Sequence, residues 1–261
     1  MELTESSLKA IRKIFPDSAE EWIQNYPGLL ADYLERWGLT VIDAAKVGWP
    51  TNQVYFVQDT SGRSLVLKMG HPHPEQITEA IALKAYLTAK APVARLLENE
   101  PAGYGIVLER LNPGTTLRQS IRDESAIKAA LTLQTLFEPL RGLPDCMLHG
   151  DCHHENILLD GDRWKIIDPK GVIGPAVLEA GRFLHNFLED EVAGDITHQD
   201  RLRLLRRRCE VAATVLPSSA KTLMAVTYID ATLSTCWQIS SGDPCEKGIA
   251  ILVALRELLG E

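Results

Sequence analysis

A chain of 261 residues that is 45% hydrophobic and 24% charged has the composition of an ordinary globular protein, with enough length for one large core or two smaller ones. Its formal net charge of -8 argues against a nucleic-acid partner, which would favour a basic surface, and is compatible with a cationic ligand. The five cysteines include no Cys-x-x-Cys pair, which favours free thiols and no zinc site. The sequence shows no basic segment followed by an apolar one at its start and no apolar run of membrane-spanning length, so we expect a soluble cytoplasmic protein with no membrane partner.

The first predicted elements are a helical region and a β-hairpin. Residues 7–46 carry Trp, Leu, Ile and Tyr side chains at helical spacing, which predicts packed helices. After Pro50 the spacing of apolar residues becomes that of β-strands. Two strand-like runs, 54–57 and 64–69, flank a turn at 59–63 and predict a β-hairpin. The N-terminal part should therefore combine helices with a small antiparallel sheet.

A lysine and a glutamate follow in the order that a kinase small lobe uses. Lys68 ends the second strand of the hairpin, and the next segment, 77–87, has helical spacing and contains Glu79. Such a pair holds an ammonium group beside the α- and β-phosphates of a nucleotide. Glu75 is the competing partner. Taken singly each of these residues reads as an ordinary surface residue, and it is their order upstream of residue 151 that favours the functional interpretation.

Two more strand-like runs precede a predicted hinge. The runs at 93–97 and 105–111 lead into the Asn-Pro-Gly sequence at 112–114, which is typical of a turn. We therefore expect an N-terminal nucleotide-binding lobe over residues 1–111 and a helical catalytic and acceptor-binding lobe over residues 112–261.

The second lobe is predicted to be mainly helical. Helical spacing runs through 115–140 and 176–188 and almost without interruption through 199–259. The basic run at 201–208 alternates with leucines, which predicts a solvated helix face rather than a nucleic-acid patch. The expected fold class is therefore α+β, with a small antiparallel-sheet lobe followed by a mainly helical lobe.

The polar groups of a phosphoryl-transfer site occur in order in the second half of the chain. His149 and Asp151 are followed by Asn156, and Asp168 comes twelve residues after that asparagine. Transfer of a γ-phosphoryl group depends mostly on positioning, metal ions and charge stabilisation. Asp151 could align the attacking hydroxyl and accept its proton, Asn156 and Asp168 could offer the oxygen ligands that Mg²⁺ prefers, and His149 could brace the loop.

A second predicted hairpin supports this interpretation. Residues 156–159 and 164–167 read as two short strands, and the turn between them begins with Asp160 and Gly161. A hairpin here would hold Asn156 and Asp168 close together. Asp-Gly turns are common in proteins, so it is the ordered set of polar residues that favours a kinase.

Two sequence phrases resemble a known family. HGDCHHENIL at 149–158 and IIDPKGVIGP at 166–175 are similar to those of the aminoglycoside phosphotransferases, which belong to the protein-kinase-like superfamily, and are nearest the streptomycin-type phosphotransferases and hydroxyurea-type kinases. The resemblance implies a two-lobed protein-kinase-like fold and ATP-dependent phosphorylation of a hydroxyl group, with antibiotic resistance as the biological outcome. The alternatives are a metabolic kinase for choline, a sugar or an amino-acid derivative, and a nucleotide-binding module without catalysis.

The resemblance also implies where the nucleotide binds. Backbone groups near Glu109 and Leu111 would meet the adenine edge. No glycine-rich loop precedes the first hairpin, so Thr51 and Asn52 are expected to present donors to the phosphates instead. The cofactors implied are ATP or GTP and Mg²⁺.

The acceptor is expected to be a small molecule. Leu178, where the next helix is predicted to have begun, comes only ten residues after Asp168, which leaves no room for a long activation segment. Acceptor recognition is assigned to the C-terminal region, where carboxylates could neutralise amino or guanidino groups. The residues proposed for this role are Glu189, Asp190, Asp230 and Trp237, with Glu191, Asp195, Asp243 and Glu246 beside them in the sequence. Singly, each reads equally well as a solvated or core residue.

Overall fold

The computed structural model describes residues 3–45, 51–101, 105–134 and 146–260. The chain divides into two compact units, one formed by Met1–Ala89 with Val93–Leu111 and the other by Lys90–Pro92 with Asn112–Glu261. Residues 46–50, at the start of the stretch that stands in place of a glycine-rich loop, and the end of the predicted helix 115–140 lie outside the described residues.

The first unit is a five-stranded antiparallel sheet with three helices. Its strands lie in the order β1-β2-β3-β5-β4, and the apolar faces of the first two helices pack with the sheet in one core that includes Tyr26, Tyr33 and Leu67. The Tyr26 and Tyr55 hydroxyls are hydrogen-bonded inside it. The elements are α1 (Glu5–Ile14), α2 (Ala19–Arg36), β1 (Leu39–Ala44), β2 (Asn52–Asp59), β3 (Ser64–Gly70), α3 (Pro74–Thr88), β4 (Leu96–Asn99) and β5 (Gly105–Glu109).

The second unit holds two small sheets and a helical core. One sheet has the order β6-β8-β9 and the other pairs β7 with β10, while the last three helices pack around Leu204, Leu205, Ala254 and Leu255. The elements are β6 (Pro113–Thr116), α4 (Glu124–Gln134), β7 (Cys146–Leu148), β8 (Ile157–Asp160), β9 (Arg163–Ile166), β10 (Val172–Gly174), α5 (Ala180–His185), α6 (His198–Ala213), α7 (Ala220–Ser241) and α8 (Glu246–Leu259). The predicted α+β class is confirmed.

Both predicted hairpins form, with ends that differ by one or two residues from the sequence prediction. Strands β2 and β3 pair from Asn52 with Gly70 to Gln58 with Ser64, and β8 and β9 pair from Ile157 with Ile166 to Asp160 with Arg163. The long helical region is also present as α6, α7 and α8. None of the helices in the described ranges is both long and apolar enough to cross a membrane. The five cysteines, all within those ranges, form no disulfide with one another.

Three helix predictions and one strand prediction were wrong in detail. The end of the 7–46 region is strand β1, because Gly38 at φ +60 ends the preceding helix. The predicted helix from 115 begins instead as β6 and a 3₁₀ turn, where Thr116 and Gln119 form a capping box. The predicted helix 176–188 is interrupted after α5 by Phe187, which is left-handed at φ +58. The strand predicted at 93–97 is shifted to β4.

Candidate active site

The first unit presents a buried lysine and glutamate. Lys68 lies on β3, a central strand of the sheet. It pairs with Val54 of β2 on one side and with Ile106 of β5 on the other. Its Nζ donates to Glu79 Oε2 at 2.7 Å, and the two side chains are only 11% and 4% exposed. A low-dielectric environment strengthens such a pair and restricts the ammonium to one direction. Among the two candidate glutamates, Glu79 is thus seen in an ion pair with Lys68, and Glu75 lies in the first turn of α3.

Thr51 and Asn52 lie at the start of β2. Thr51 is buried, and the Asn52 side-chain oxygen accepts a hydrogen bond from Gln76 Nε2 at 3.4 Å. This contact joins the start of the strand to α3. Their role as phosphate-binding residues stays a prediction, since much of the loop before them lies outside the described residues.

Glu109 and Leu111 lie where β5 ends. The Glu109 backbone N–H donates to the Arg95 carbonyl oxygen, and its Oε1 accepts from the Arg95 N–H, both at 2.9 Å. Leu111 is buried, and the guanidinium of Arg110 lies over the Phe56 ring at 3.9 Å. The segment is thus held firmly in the first unit, and its contact with adenine stays a prediction.

His149 ties together the two loops that carry the predicted catalytic and metal-binding groups. It is fully buried, and burial lowers the pKa of its imidazole to about 4, so the ring is neutral at pH 7. In the tautomer that satisfies both nitrogens, Nε2 donates to the Ile167 carbonyl oxygen at 2.8 Å and Nδ1 accepts from the Asp151 N–H at 3.2 Å. The Lys170 N–H donates to the His149 carbonyl oxygen at 2.7 Å.

Asn156 connects Asp151 with the strand that leads to Asp168. Its Nδ2 donates to the Asp151 carbonyl oxygen at 2.9 Å, and its own carbonyl oxygen accepts from the Ile167 N–H at 2.9 Å. Because the amide nitrogen is committed to this bond, the amide oxygen is the atom that can bind a cation. Asp168 has a left-handed backbone, φ +61, and its Oδ2 lies 3.8 Å from the Lys170 ammonium.

This donor set fits a magnesium ion that is carried largely by its nucleotide. Within the described ranges no cluster of three or more His, Cys, Asp and Glu side chains could hold a metal ion. Mg²⁺ in kinase sites typically takes one or two protein oxygens together with phosphate oxygens and water. The carboxylate of Asp168 and the amide oxygen of Asn156 match that requirement.

Asp151 is a partly buried carboxylate among cations. Burial raises its pKa, while His153, Arg182 and Lys170 act in the opposite direction. Its Oδ1 lies 3.4 Å from Arg182 Nη1 and its Oδ2 lies 3.8 Å from His153 Nε2. Burial lowers the pKa of His153, so Arg182 is the closest permanently charged partner of this carboxylate among the ion pairs of the described residues.

Glu179, which the sequence analysis did not single out, anchors the catalytic loop. Its Oε2 accepts from the His149 N–H at 2.6 Å, and the Gly150 N–H lies 3.3 Å from both carboxylate oxygens. The residue is 4% exposed, and burial raises its pKa to about 7 against the opposing backbone hydrogen bonds. Gly150 has φ +80, and a Cβ there would lie 2.7 Å from Val172 Cγ2, so only glycine fits this turn.

Replacing Glu179 with alanine should destabilise the protein and lower its turnover. The variant leaves the backbone N–H groups of His149 and Gly150 without this acceptor, and each orphaned donor costs about 1–3 kcal/mol. Urea denaturation would measure the loss in unfolding free energy, with the exposed Glu210→Ala as the control. A Glu179→Ala protein as stable and as active as that control would contradict the anchoring role.

His154 is buried without a polar partner. It is fully buried, and neither ring nitrogen has a hydrogen-bond partner within the described part of the chain. Its ring stacks on Phe183 at 4.2 Å between centroids and meets Phe187 edge-on at 5.7 Å. Burial holds its pKa well below the ordinary value of 6.5, so the folded protein keeps this imidazole neutral.

A His154→Leu variant should be more stable than the wild type. Removal of two unsatisfied nitrogens, less the lost aromatic stacking, is expected to raise the unfolding free energy by about 1 kcal/mol. The unfolded chain binds a proton at His154 below pH 6.5 while the folded chain does not, so wild-type stability should fall with decreasing pH by up to about 1.4 kcal/mol per pH unit from this site. Urea titrations from pH 8 down to pH 5 should show a smaller slope in the variant, and an equal slope would contradict the prediction.

Two of the four predicted acceptor residues lie in ion pairs with other parts of the second unit. Glu189 accepts from Lys247 Nζ at 2.8 Å, and Asp190 accepts from Arg118 Nε at 2.5 Å. These pairs connect the segment after α5 with α8 and with the 3₁₀ turn that follows β6. The carboxylates already have cationic partners, and their contact with an acceptor stays a prediction.

The other two predicted acceptor residues lie beside the catalytic loop. Asp230 on α7 accepts from Arg182 Nε at 3.0 Å, and the same arginine reaches Asp151. Trp237 lies about two helical turns further along α7. It is 59% exposed, and its ring centre lies 5.9 Å from the Arg182 guanidinium carbon. The structure thus brings Asp230 and Trp237 into the neighbourhood of Asp151.

Comparison with known proteins shows which kinases the chain is similar to. Residues 142–242, which contain Asp151, Asn156 and Asp168, match the family model described as aminoglycoside/hydroxyurea antibiotic resistance kinase. The chain is also 25% identical over 302 aligned residues to streptomycin 6-kinase from Streptomyces glaucescens, an alignment that covers 97% of this chain and 96% of the relative. These matches support a relationship to the aminoglycoside phosphotransferases.

Further comparisons agree with this relationship. Hydroxyurea phosphotransferase from Kitasatospora aureofaciens is 29% identical over 208 residues, 60% of each chain. Among solved structures, amicoumacin kinase hAmiN in complex with AMP-PNP, Ca²⁺ and Ami aligns with a TM-score of 0.59 at 13% identity and covers 92% of this chain and 95% of that one. The resemblance to aminoglycoside phosphotransferases and the protein-kinase-like fold, both predicted from the sequence, are confirmed.

Proposed function

We propose that the protein transfers the γ-phosphoryl group of ATP to a hydroxyl group of a small aminoglycoside-like or streptomycin-like antibiotic. The observation that carries this proposal is the arrangement around Asn156, which bonds to the Asp151 carbonyl and to the N–H next to Asp168 within the segment that matches the family model. ATP is a cytoplasmic cosubstrate, so we place the reaction in the cytoplasm.

Each of these groups has one task in this proposal. Lys68, oriented by Glu79, holds the α- and β-phosphates. Asn156 and Asp168 hold Mg²⁺, which supplies charge stabilisation on the phosphate oxygens when it is bound. Asp151 aligns the acceptor hydroxyl and takes its proton, and in a loose transition state the proton leaves late, so orientation contributes more than basicity.

The acceptor is proposed to bind against Asp230 and Trp237. The exposed indole of Trp237 offers an apolar surface of the kind that sugar and ring-containing ligands stack on. It lies near Arg182, and the Arg182 guanidinium is 3.4 Å from the Asp151 carboxylate. Glu189 and Asp190 are proposed as a second, outer group of carboxylates. The overall formal charge of -8 supports a cationic acceptor.

An acceptor panel tests the proposal directly. Purified protein with Mg·ATP would be incubated with streptomycin, other aminoglycosides, hydroxyurea, choline, homoserine and simple sugars, and the phosphorylated product would be detected by mass spectrometry. We expect turnover with an antibiotic that exceeds turnover with choline or sugars, and resistance in a susceptible cell that expresses the protein. Turnover only with a metabolic alcohol would refute the antibiotic assignment.

The Asp151→Asn protein is the matched control for the panel. The variant keeps the shape of the side chain but lacks the carboxylate. If it forms a product at the wild-type rate, that reaction does not depend on the Asp151 carboxylate. ATP binding without product from any acceptor, in both proteins, would instead support a nucleotide-binding module. GTP in place of ATP would test the choice of triphosphate.

A further inference from the structure

An arginine on α5 links the proposed catalytic carboxylate to α7. Arg182 Nη1 donates to Asp151 Oδ1 at 3.4 Å, and its Nε donates to Asp230 Oδ2 at 3.0 Å. The guanidinium is planar, so the directions of these two bonds are fixed relative to one another. The side chain of Arg182 is 20% exposed, which restricts its movement further.

Asp230 is itself held in place. His185 Nε2 lies 2.6 Å from the same Asp230 oxygen that accepts from Arg182, and the His185 side chain is 6% exposed. Burial alone would raise the pKa of Asp230, but the contacts with His185 and Arg182 lower it below the ordinary value. Asp230 is thus an ionised carboxylate that braces Arg182 from α7.

The close packing of α5 on α7 permits this arrangement. A Cβ added to Gly181 would lie 2.8 Å from Asp230 Cβ and 3.3 Å from the Val226 carbonyl oxygen, so any larger residue would push the helices apart. The glycine immediately before Arg182 therefore brings the arginine within hydrogen-bond distance of α7.

The contacts of Asp151 assign different roles to its two oxygens. Oδ1 is the oxygen that accepts from Arg182, while Oδ2 lies 3.8 Å from His153, beyond hydrogen-bond distance. A carboxylate that is held through one oxygen cannot rotate freely. The other oxygen is then presented in one direction, which is the requirement for aligning an attacking hydroxyl.

We propose that Arg182, braced by Asp230 and His185, is the positioning residue that orients Asp151 toward the acceptor hydroxyl. The inference rests on the proposed function, since it deepens the role given there to Asp151. Arg182 acts through Asp151 and does not need to touch the nucleotide. Its removal should therefore lower the rate of transfer and leave Mg·ATP affinity unchanged.

The test is a double-mutant cycle between Arg182 and Asp151. Arg182→Met should lower kcat by about 10–100-fold, because a small misplacement of a catalytic group can cost about 100-fold, with little change in the acceptor KM. In the Asp151→Asn background the same change should have almost no further effect. Arg182→Lys, which keeps the positive charge but loses the planar guanidinium, should lower kcat in the same direction, and the exposed Arg206→Met on α6 is the matched control.

The results separate this inference from the proposed function. Wild-type kcat in Arg182→Met, or an equal loss in both backgrounds, would overturn the positioning role while the Asp151-dependent reaction stands. If no acceptor is found, slow ATP hydrolysis with water as acceptor provides the same cycle. If no turnover of either kind depends on Asp151, both the proposed function and the role of Arg182 fail. Should Arg182→Met not fold, the Arg182→Lys protein decides the question by the same criteria.

Discussion

Replacing Asp151 with asparagine should leave a folded protein that binds Mg·ATP with wild-type affinity but turns over about 10²–10⁴-fold more slowly, the range expected for loss of a positioned general base. Asparagine keeps the size of the side chain, while its amide cannot accept the proton of the hydroxyl group. The interaction is made in the transition state, so kcat and kcat/KM for the acceptor should fall together. Steady-state kinetics and nucleotide titration by calorimetry would measure the two effects.

The control for this variant is Asp162→Asn. Asp162 lies in the turn between β8 and β9, its side chain is 97% exposed, and its replacement should change neither rate nor affinity. An Asp151→Asn protein that keeps wild-type kcat would remove Asp151 from the proposed mechanism. One that loses nucleotide affinity as well as rate would show that the residue supports the site as a whole rather than the transfer step.

The parts of the site that were predictable from the sequence are those built from local contacts. The hairpin of β8 and β9 follows from an Asp-Gly turn between two short strands, and it places Asn156 one residue before β8 and Asp168 shortly after β9. Lys68 was predictable for a similar reason, because strand alternation places it on β3. In each case the signal and its structural consequence lie within about twenty residues of one another.

The supports of the catalytic loop could not be predicted in this way. Glu179 accepts from backbone groups 29 and 30 residues earlier in the chain, and in the sequence it reads only as a glutamate near the start of a helix. Arg182 likewise depends on the approach of α5 to α7, which the sequence does not reveal. One sequence signal could have indicated that Glu179 and Arg182 are buried. Both lie among apolar neighbours at a helix start that contains a glycine, in the Leu-Glu-Ala-Gly-Arg-Phe-Leu run at 178–184.

Charge patterning misjudged one member of the basic run on α6. Arg208 was expected on a solvated helix face, but it is 8% exposed. It donates to Glu191 at 2.6 Å and to the Asn186 carbonyl oxygen at 2.6 Å. The chain turns at Phe187, which has a left-handed backbone although it is not a glycine, so the sequence gives no sign of the turn. The carbonyl groups at the end of α5 have no partner within the helix and need a donor. Tertiary contacts therefore decided the burial of this residue.

Replacing Asp168 with asparagine should weaken the binding of Mg·ATP itself. Asparagine tolerates the left-handed backbone that the site requires, φ +61, better than alanine does, so the change removes the negative charge with little strain. The variant loses the only carboxylate assigned to the metal, and we expect its Kd for Mg·ATP to rise by at least about tenfold, which corresponds to about 1.4 kcal/mol.

Calorimetry with and without the metal isolates this effect from catalysis. For the wild type, added Mg²⁺ should strengthen nucleotide binding, whereas for Asp168→Asn the metal should make little difference, because a carboxylate binds a hard cation more strongly than a neutral amide oxygen does. Asp162→Asn again serves as the control, since it removes one carboxylate from the exposed turn of the same hairpin. If Asp168→Asn keeps the full metal-dependent gain in affinity, Asp168 is not the metal ligand, and the left-handed backbone at this position would need another explanation.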